Sequence, residues 1–217
     1  MWEMRNTGRW VAIGLPLFYL AGVLFHFLDG TFPLMLVLTP WTIFLTAVIG
    51  FLPEFKAKNT SLLMWALGTF LVTLVLEIVG VATGMIFGAY NYGPTLGFGV
   101  MGVPLLIGIN WTLIIMGSIA LVSKVVKSKW EIAFGTALVT VTFDWIMEPV
   151  AIALDYWTWE GSSIPLQNYI AWFCISLVFS RVYVHFDLKN KSLFPSLIVV
   201  VQAIFFLLLR IAVVPYL

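Results

Sequence analysis

The stretch from Ser61 to Gly93 reads SLLMWALGTFLVTLVLEIVGVATGMIFGAYNYG. Its first part is apolar and long enough to cross a bilayer as a helix, which takes about 17–25 residues. Within that run sits a carboxylate, Glu77. Glycines follow at 80, 84 and 88, then Tyr90 and Tyr92. An ionisable group at bilayer depth costs at least ~2.5–3.5 kcal/mol on insertion scales, so it is a functional candidate by default. If the helix continues, Gly80, Gly84 and Gly88 clear one face down to backbone hydrogens, and Glu77 points the same way. Such a face packs against another helix, or it admits a long flat ligand beside the carboxylate. The sequence leaves both readings open.

The rest of the chain repeats this pattern. It has 217 residues, 62% hydrophobic and 10% charged, with a mean hydropathy of +1.05; soluble domains carry about 25% charged residues. We expect an all-α polytopic integral membrane protein, one domain over residues 1–217. Apolar runs predict seven transmembrane helices at about 10–28, 33–52, 61–79, 103–123, 131–153, 169–186 and 193–214. Turn and charge signals separate them: Asp29-Gly30, Pro53 to Asn59, Gly93 to Gly102, Lys124 to Lys129, Asp155 to Pro165 and Asp187 to Lys191. The first run is too long for a signal-peptide core and no A-x-A-like site follows it, so it reads as a retained helix.

Charge distribution sets the expected orientation. With a cytoplasmic N-terminus, the inner ends hold Arg5, Arg9, Lys56, Lys58, Lys124, Lys127, Lys129, Arg181, Lys189 and Lys191. Only Arg210 falls toward the other side. Seven spans then place the C-terminus outside, in a multi-pass protein of the cell membrane. Glu3, Glu54, Glu131 and Asp187 sit near positive charge on the inner ends. A net charge of +1 gives no case for nucleic acid. Cys174 lies in an apolar run and reads as a buried thiol, with no partner for a disulfide or a zinc cluster.

The other polar groups converge in depth. At ~1.5 Å of rise per residue, Glu77, Asp144, Glu148, His26, Asn110 and Arg210 share a slab in the outer half of the membrane. Asn168 opens the sixth helix at its rim. The bland reading is that Asp144 pairs with Arg210 while Glu148 and Asn168 sit in interfacial water. The chemical reading starts from spacing. Asp144 and Glu148, i and i+4, share one helix face. Two nearby carboxylates in a dry site resist double ionisation, so one keeps its proton beside a charged neighbour. Such a pair can donate a proton and take one back. Pro149 removes an N–H above Trp145, which predicts a kink beside the pair.

Aromatic residues crowd the same region. Trp157 and Trp159 read as an interfacial belt. Tyr90, Trp111, Trp145 and Trp172 lie nearer the acids, where their π faces could stabilise a cation. His26 reads as a packing or hydrogen-bonding histidine, and with His185 at the opposite side there is no two-histidine metal face. There is no glycine-rich phosphate loop, no H-E-x-x-H and no cysteine pair. Asp144-x-x-x-Glu148 is half of a prenyltransferase magnesium motif, but a second acidic cluster is missing.

These residues together resemble a family. The string Glu77-x-x-Gly80-x-x-x-Gly84-x-x-Phe87-Gly88-x-Tyr90-x-Tyr92 is similar to the signature of membrane carotenoid-biosynthesis proteins that include the CruF-type carotenoid 1,2-hydratases. So are Gly102-Val103-Pro104-Leu105 with Trp111, Asp144-x-x-x-Glu148-Pro149, Tyr156-Trp157-x-Trp159 and Ile164-Pro165-x-x-Asn168-Tyr169-x-x-Trp172. The likeness covers roughly residues 70–175. The family carries aspartate at least as often as glutamate before that proline, so the arm at 148 is the longer one here.

The resemblance implies addition of water across the terminal C1=C2 double bond of an acyclic carotenoid end group, giving a tertiary alcohol with no cofactor and no metal. The substrate would be lycopene, γ-carotene or a similar carotene drawn from the lipid bilayer. Asp144 or Glu148 would be the general acid. Glu77 would orient or deprotonate water. Gly80, Gly84, Gly88, Tyr90, Tyr92, Trp111, Trp145 and Trp172 would bind substrate, supported by Asn110, Asn168 and His26. Rival readings are an end-group cyclase, which shares the cation but excludes water, a small proton-coupled transporter, and a non-catalytic pigment-binding protein.

Overall fold

In the computed structural model residues 2–161, 163–212 and 214 are described, with side chains from Gly8 onward; Glu3 and Arg5 therefore lie outside the described side chains. Seven α-helices form the described chain: α1 (Trp2–His26), α2 (Phe32–Lys56), α3 (Thr60–Thr83), α4 (Leu105–Val122), α5 (Lys129–Ala153), α6 (Leu166–His185) and α7 (Phe194–Ala212). The predicted boundaries fall within about four residues of these, apart from the first helix, which starts eight residues earlier. Six helices are long and apolar enough to cross a membrane. The remaining one, α6, carries Gln167, Asn168, Ser176, Ser180 and Arg181 among its 20 residues. Large apolar side chains such as Phe18, Leu24, Trp41, Val75 and Leu138 face outward around the bundle, as lipid contact requires of a chain whose backbone polar groups are satisfied within helices.

α4 is the buried axis. Leu113, Ile114, Ile115 and Met116 on it are fully enclosed. Glycine makes this packing possible. A Cβ at Gly117 would sit 2.3 Å from the Pro195 carbonyl oxygen and 2.4 Å from Val199 Cγ2, and one at Gly108 would sit 2.9 Å from Phe70 Cδ2. The small-residue contacts between helices therefore centre on α4, from its own Gly108 and Gly117 and from Gly50 and Gly135 packed against it, and not at Gly80, Gly84 and Gly88. α3 stops at Thr83 because Gly84 adopts φ +65° and its N–H returns to the Gly80 carbonyl, a left-handed cap that favours glycine. Gly88 lies beyond the helix at φ +108°. The expected glycine face is thus broken after one turn.

Two short antiparallel ribbons replace the predicted loops. β1 (Tyr90–Tyr92) pairs with β4 (Trp157–Trp159) in the register Tyr90↔Trp159 and Tyr92↔Trp157, and β2 (Gly99–Val100) pairs with β3 (Val103–Pro104). The β1–β4 ribbon joins the segment after α3 to the segment after α5. At the opposite end Glu54 is fully buried. It accepts hydrogen bonds from the Lys191 N–H at 2.7 Å and from Asn59 Nδ2 at 2.6 Å. Glu54 therefore fastens the α6–α7 connection to α2, where a neighbouring surface charge was expected. Asp187 does meet a cation, Lys129 Nζ at 2.8 Å, which holds its exposed carboxyl below the usual range. Cys174 is exposed on α6 rather than buried.

Candidate active site

The three membrane-depth acids meet. Glu77 comes from α3, and Asp144 and Glu148 come from successive turns of α5. All three are buried, and they surround one cavity of about 30 Å³. That is room for one or two waters, each of which needs roughly 10–15 Å³.

Each carboxylate has its own donors. Glu77 Oε2 accepts from the Tyr90 hydroxyl and, at 2.7 Å, from the Tyr92 hydroxyl, while Oε1 accepts from Trp111 Nε1 at 2.7 Å. Burial, then the Glu77 charge, pushes both ribbon phenols up, so both keep their protons and donate. Glu148 Oε2 accepts from Trp157 Nε1 and Trp159 Nε1, each at 3.1 Å. Asn168 Nδ2 bridges the i, i+4 pair, at 2.8 Å from Asp144 Oδ2 and 3.2 Å from Glu148 Oε1. Asp144 Oδ1 is buried with no hydrogen-bond partner among the described residues. The three acids thus differ: Glu77 and Glu148 are surrounded by donors, and Asp144 has one occupied oxygen and one bare one.

The ribbon explains this arrangement. Side chains alternate across a strand, so Tyr90 and Tyr92 from β1 and Trp157 and Trp159 from β4 fall on one face and point their polar hydrogens at the acids. Trp157 and Trp159 are therefore cavity walls, not an interfacial belt. The period-two patterns Tyr-Asn-Tyr and Trp-Thr-Trp carried that signal. Trp111 stacks on Trp172 with centroids 3.8 Å apart, and both line the cavity with Asn110, Asn168, Phe87 and Met147. Phe87 was marked only as a member of the family-like string, and Met147 had no marker beyond being apolar.

Other expected site residues lie elsewhere. Trp145 is exposed, with Arg210 4.1 Å above its ring, because it follows Asp144 by about 100° of helix rotation. Arg210 does not pair with Asp144. Its Nη1 donates to the Trp145 carbonyl at 2.6 Å, the acceptor left unused because Pro149 has no N–H. α5 continues through Pro149 to Ala153. His26 sits in a cleft beside α1 and accounts for none of the cavity wall. The glycines stand outside the cavity too. A Cβ on Gly80 would lie 2.6 Å from Phe87 Cδ2, and one on Gly88 would lie 2.6 Å from Pro165 Cγ, so the protein's own side chains fill the space they leave.

Three sequestered carboxylates, indole and phenol donors and a water-sized void among long apolar helices define a class: a polytopic helical membrane protein with a buried acidic site. The chain belongs to the carotenoid biosynthesis protein family, whose pattern matches residues 31–215. It is also similar to a bisanhydrobacterioruberin hydratase of Haloarcula japonica, with 29% identity over 105 residues covering 45% of this chain and 36% of that protein. The matched stretch thus spans little more than a third of the relative. No solved structure matches.

Proposed function

We propose that this protein hydrates an acyclic carotenoid end group, adding water across the terminal C1=C2 double bond to give a tertiary alcohol. The observation that carries the reading is the void of about 30 Å³ bounded by Glu77, Asp144 and Glu148. Protonating a trisubstituted alkene takes an acid that water does not level, and quenching the cation takes a held water and a base. Asp144 has the fewest donors, and its bare Oδ1 suits the acid role. Its proton goes to C2, and the positive charge forms at C1. Water bonds to C1 through oxygen and gives a proton to Glu148. Asn168, bonded to both carboxylates, keeps them close enough for the proton to return to Asp144. The sum is one water added.

Glu77 accepts three hydrogen bonds. With both its oxygens engaged by donors, its role in this reading is to oppose the developing cation. Trp111 and Trp172 add their π faces. The kinship with a protein named as a carotenoid hydratase supports the same reaction class. A substrate of this kind lives in lipid, and a multi-pass fold in the cell membrane would meet it there. All seven helices would cross, with the N-terminus inside, since ten of the eleven Lys and Arg residues then fall on cytoplasmic ends.

The test is expression in a lycopene-producing host, followed by chromatography and mass spectrometry of the pigments. A product heavier by one water supports hydration. An isomer of the starting carotene would mean cyclisation, and unchanged carotene would remove the hydratase reading.

A further inference from the structure

The void among the acids has room for a water or two but not for a carotenoid end, so the substrate needs a path to it. Two further cavities supply one. A cleft of about 330 Å³ opens between α1, α2 and α7, and Phe18, Phe25, Leu34 and Leu38 at this cleft are exposed to the surroundings of the bundle. Its inner wall includes Ile43, Tyr156, Gln202 and Phe206, and the same four residues line a smaller cavity of about 30 Å³. That cavity in turn shares Ile107, Asn110, Met147 and Trp157 with the void among the acids. The three spaces share walls in succession from the bundle surface to Asp144 and Glu148. Two other surface grooves are larger, about 530 Å³ beside Leu67 and 460 Å³ beside Cys174, yet neither shares a lining residue with the acid void.

The cleft also holds two unsatisfied polar atoms. Gln202 donates through Nε2 to the Tyr19 hydroxyl at 3.0 Å, and its Oε1 has no partner among the described residues. His26 Nδ1 lies 2.6 Å from the Gly22 carbonyl and so donates to it, which leaves Nε2 of the neutral ring as an acceptor, likewise unpartnered. Both side chains are more than nine-tenths buried. Buried polar groups without partners are uncommon in proteins. Two free acceptors in an apolar cleft call for a donor, and an O–H is what hydration places on a hydrocarbon chain.

Resting on the hydratase reading, we propose that the cleft between α1, α2 and α7 is the substrate channel. It holds the acyclic isoprenoid chain with one end threaded past Met147 to the acids, and Gln202 accepts a hydrogen bond from the hydroxyl of the alcohol on its way out.

Full-length protein in a lycopene-producing host tests this, by reading both alcohol formed and carotene that co-purifies. Ile43→Trp narrows the junction and is expected to lower alcohol formation by roughly 100-fold, the order that a misplaced substrate costs, and to strip co-purified carotene. Leu67→Trp in the unconnected groove leaves both at wild-type levels. Asp144→Asn stops alcohol formation but keeps the carotene bound. A well-folded Ile43→Trp protein that hydrates and binds normally overturns the channel. To separate blockage from misfolding, Leu38→Cys in a Cys174→Ser background is folded first and then alkylated with a bulky maleimide. Activity should be lost on alkylation, and its survival overturns the channel. If the wild type makes no alcohol, the hydratase reading fails, while carotene retained by Asp144→Asn and lost in Ile43→Trp still supports the channel. Gln202→Leu should lower the ratio of bound alcohol to bound carotene, and an unchanged ratio removes the role of Gln202.

Discussion

Asp144 and Glu77 are both buried carboxylates, yet their neighbours differ, and the proposed reaction gives them opposite tasks. Glu77 has three donors, and Asp144 has one donor and one bare oxygen. Asp144→Asn should therefore lower the yield of alcohol by about 10²–10⁴-fold, the usual contribution of a general acid or base, as read by pigment chromatography at matched protein levels. Tyr92→Phe removes one donor from Glu77 and leaves the ring. A hydrogen bond to a charged group is worth ~1.5–3 kcal/mol, so this variant should unfold several degrees earlier in detergent and retain part of its activity. Arg210 is a structural residue on this reading. Arg210→Met exposes the Trp145 carbonyl and removes the stacked cation, a loss of ~1–3 kcal/mol. It should lower Tm without changing which product is made.

At the scale of the element, the helices were legible because an apolar run needs no partner to declare itself. What the sequence obscured was where helix becomes ribbon. Gly80, Gly84 and Gly88 have the spacing of a packing face, and only the φ of +65° at Gly84 ends it. The alternation in residues 90–92 and 157–159 spans three residues each, too short to outweigh an interfacial reading of tryptophan. Glu77, Asp144, Glu148, Trp111, Trp172 and Asn168 were accessible as a set, since polar groups in apolar helices stand out. Trp145 turns away from the acids because depth along a helix says nothing about direction around it, and His26 faces the cleft between α1, α2 and α7 instead of the acid void. The glycines that do set helix spacing are on α4 or face it, at positions 50, 108, 117 and 135. Gly117→Ala would press a methyl carbon against the Pro195 backbone and should cost ~1–3 kcal/mol as overpacking does. Gly68→Ala, with nothing within 4 Å, should be neutral or stabilising. Thermal melts of the two proteins in one detergent compare them directly, and equal Tm values would refute the assigned role of Gly117.

The whole molecule has two unlike ends. One carries the β1–β4 ribbon and the carboxylates; the other carries Glu54, Asn59 and the Lys129–Asp187 pair. If the basic end faces the cytoplasm, single cysteines placed at Lys127 and at Glu160 in a Cys174→Ser background should behave oppositely in intact cells. Position 160 reacts with a membrane-impermeant maleimide and position 127 does so only after lysis. Equal labelling at both positions would reject the orientation.

The ribbon also has a consequence for how the chain is made. The donors to Glu77 come from β1 and α4, those to Glu148 from β4 and α6, and the bridge to Asp144 from α6 alone. A ribosome delivers them in that order. Until Asn168 emerges, a half-finished chain holds raw acidic groups in hydrocarbon, so biogenesis passes through a vulnerable interval that ends when the sixth helix arrives. Chains truncated before Leu166 should be cleared by membrane proteases faster than chains truncated after His185, and pulse–chase decay would measure the difference.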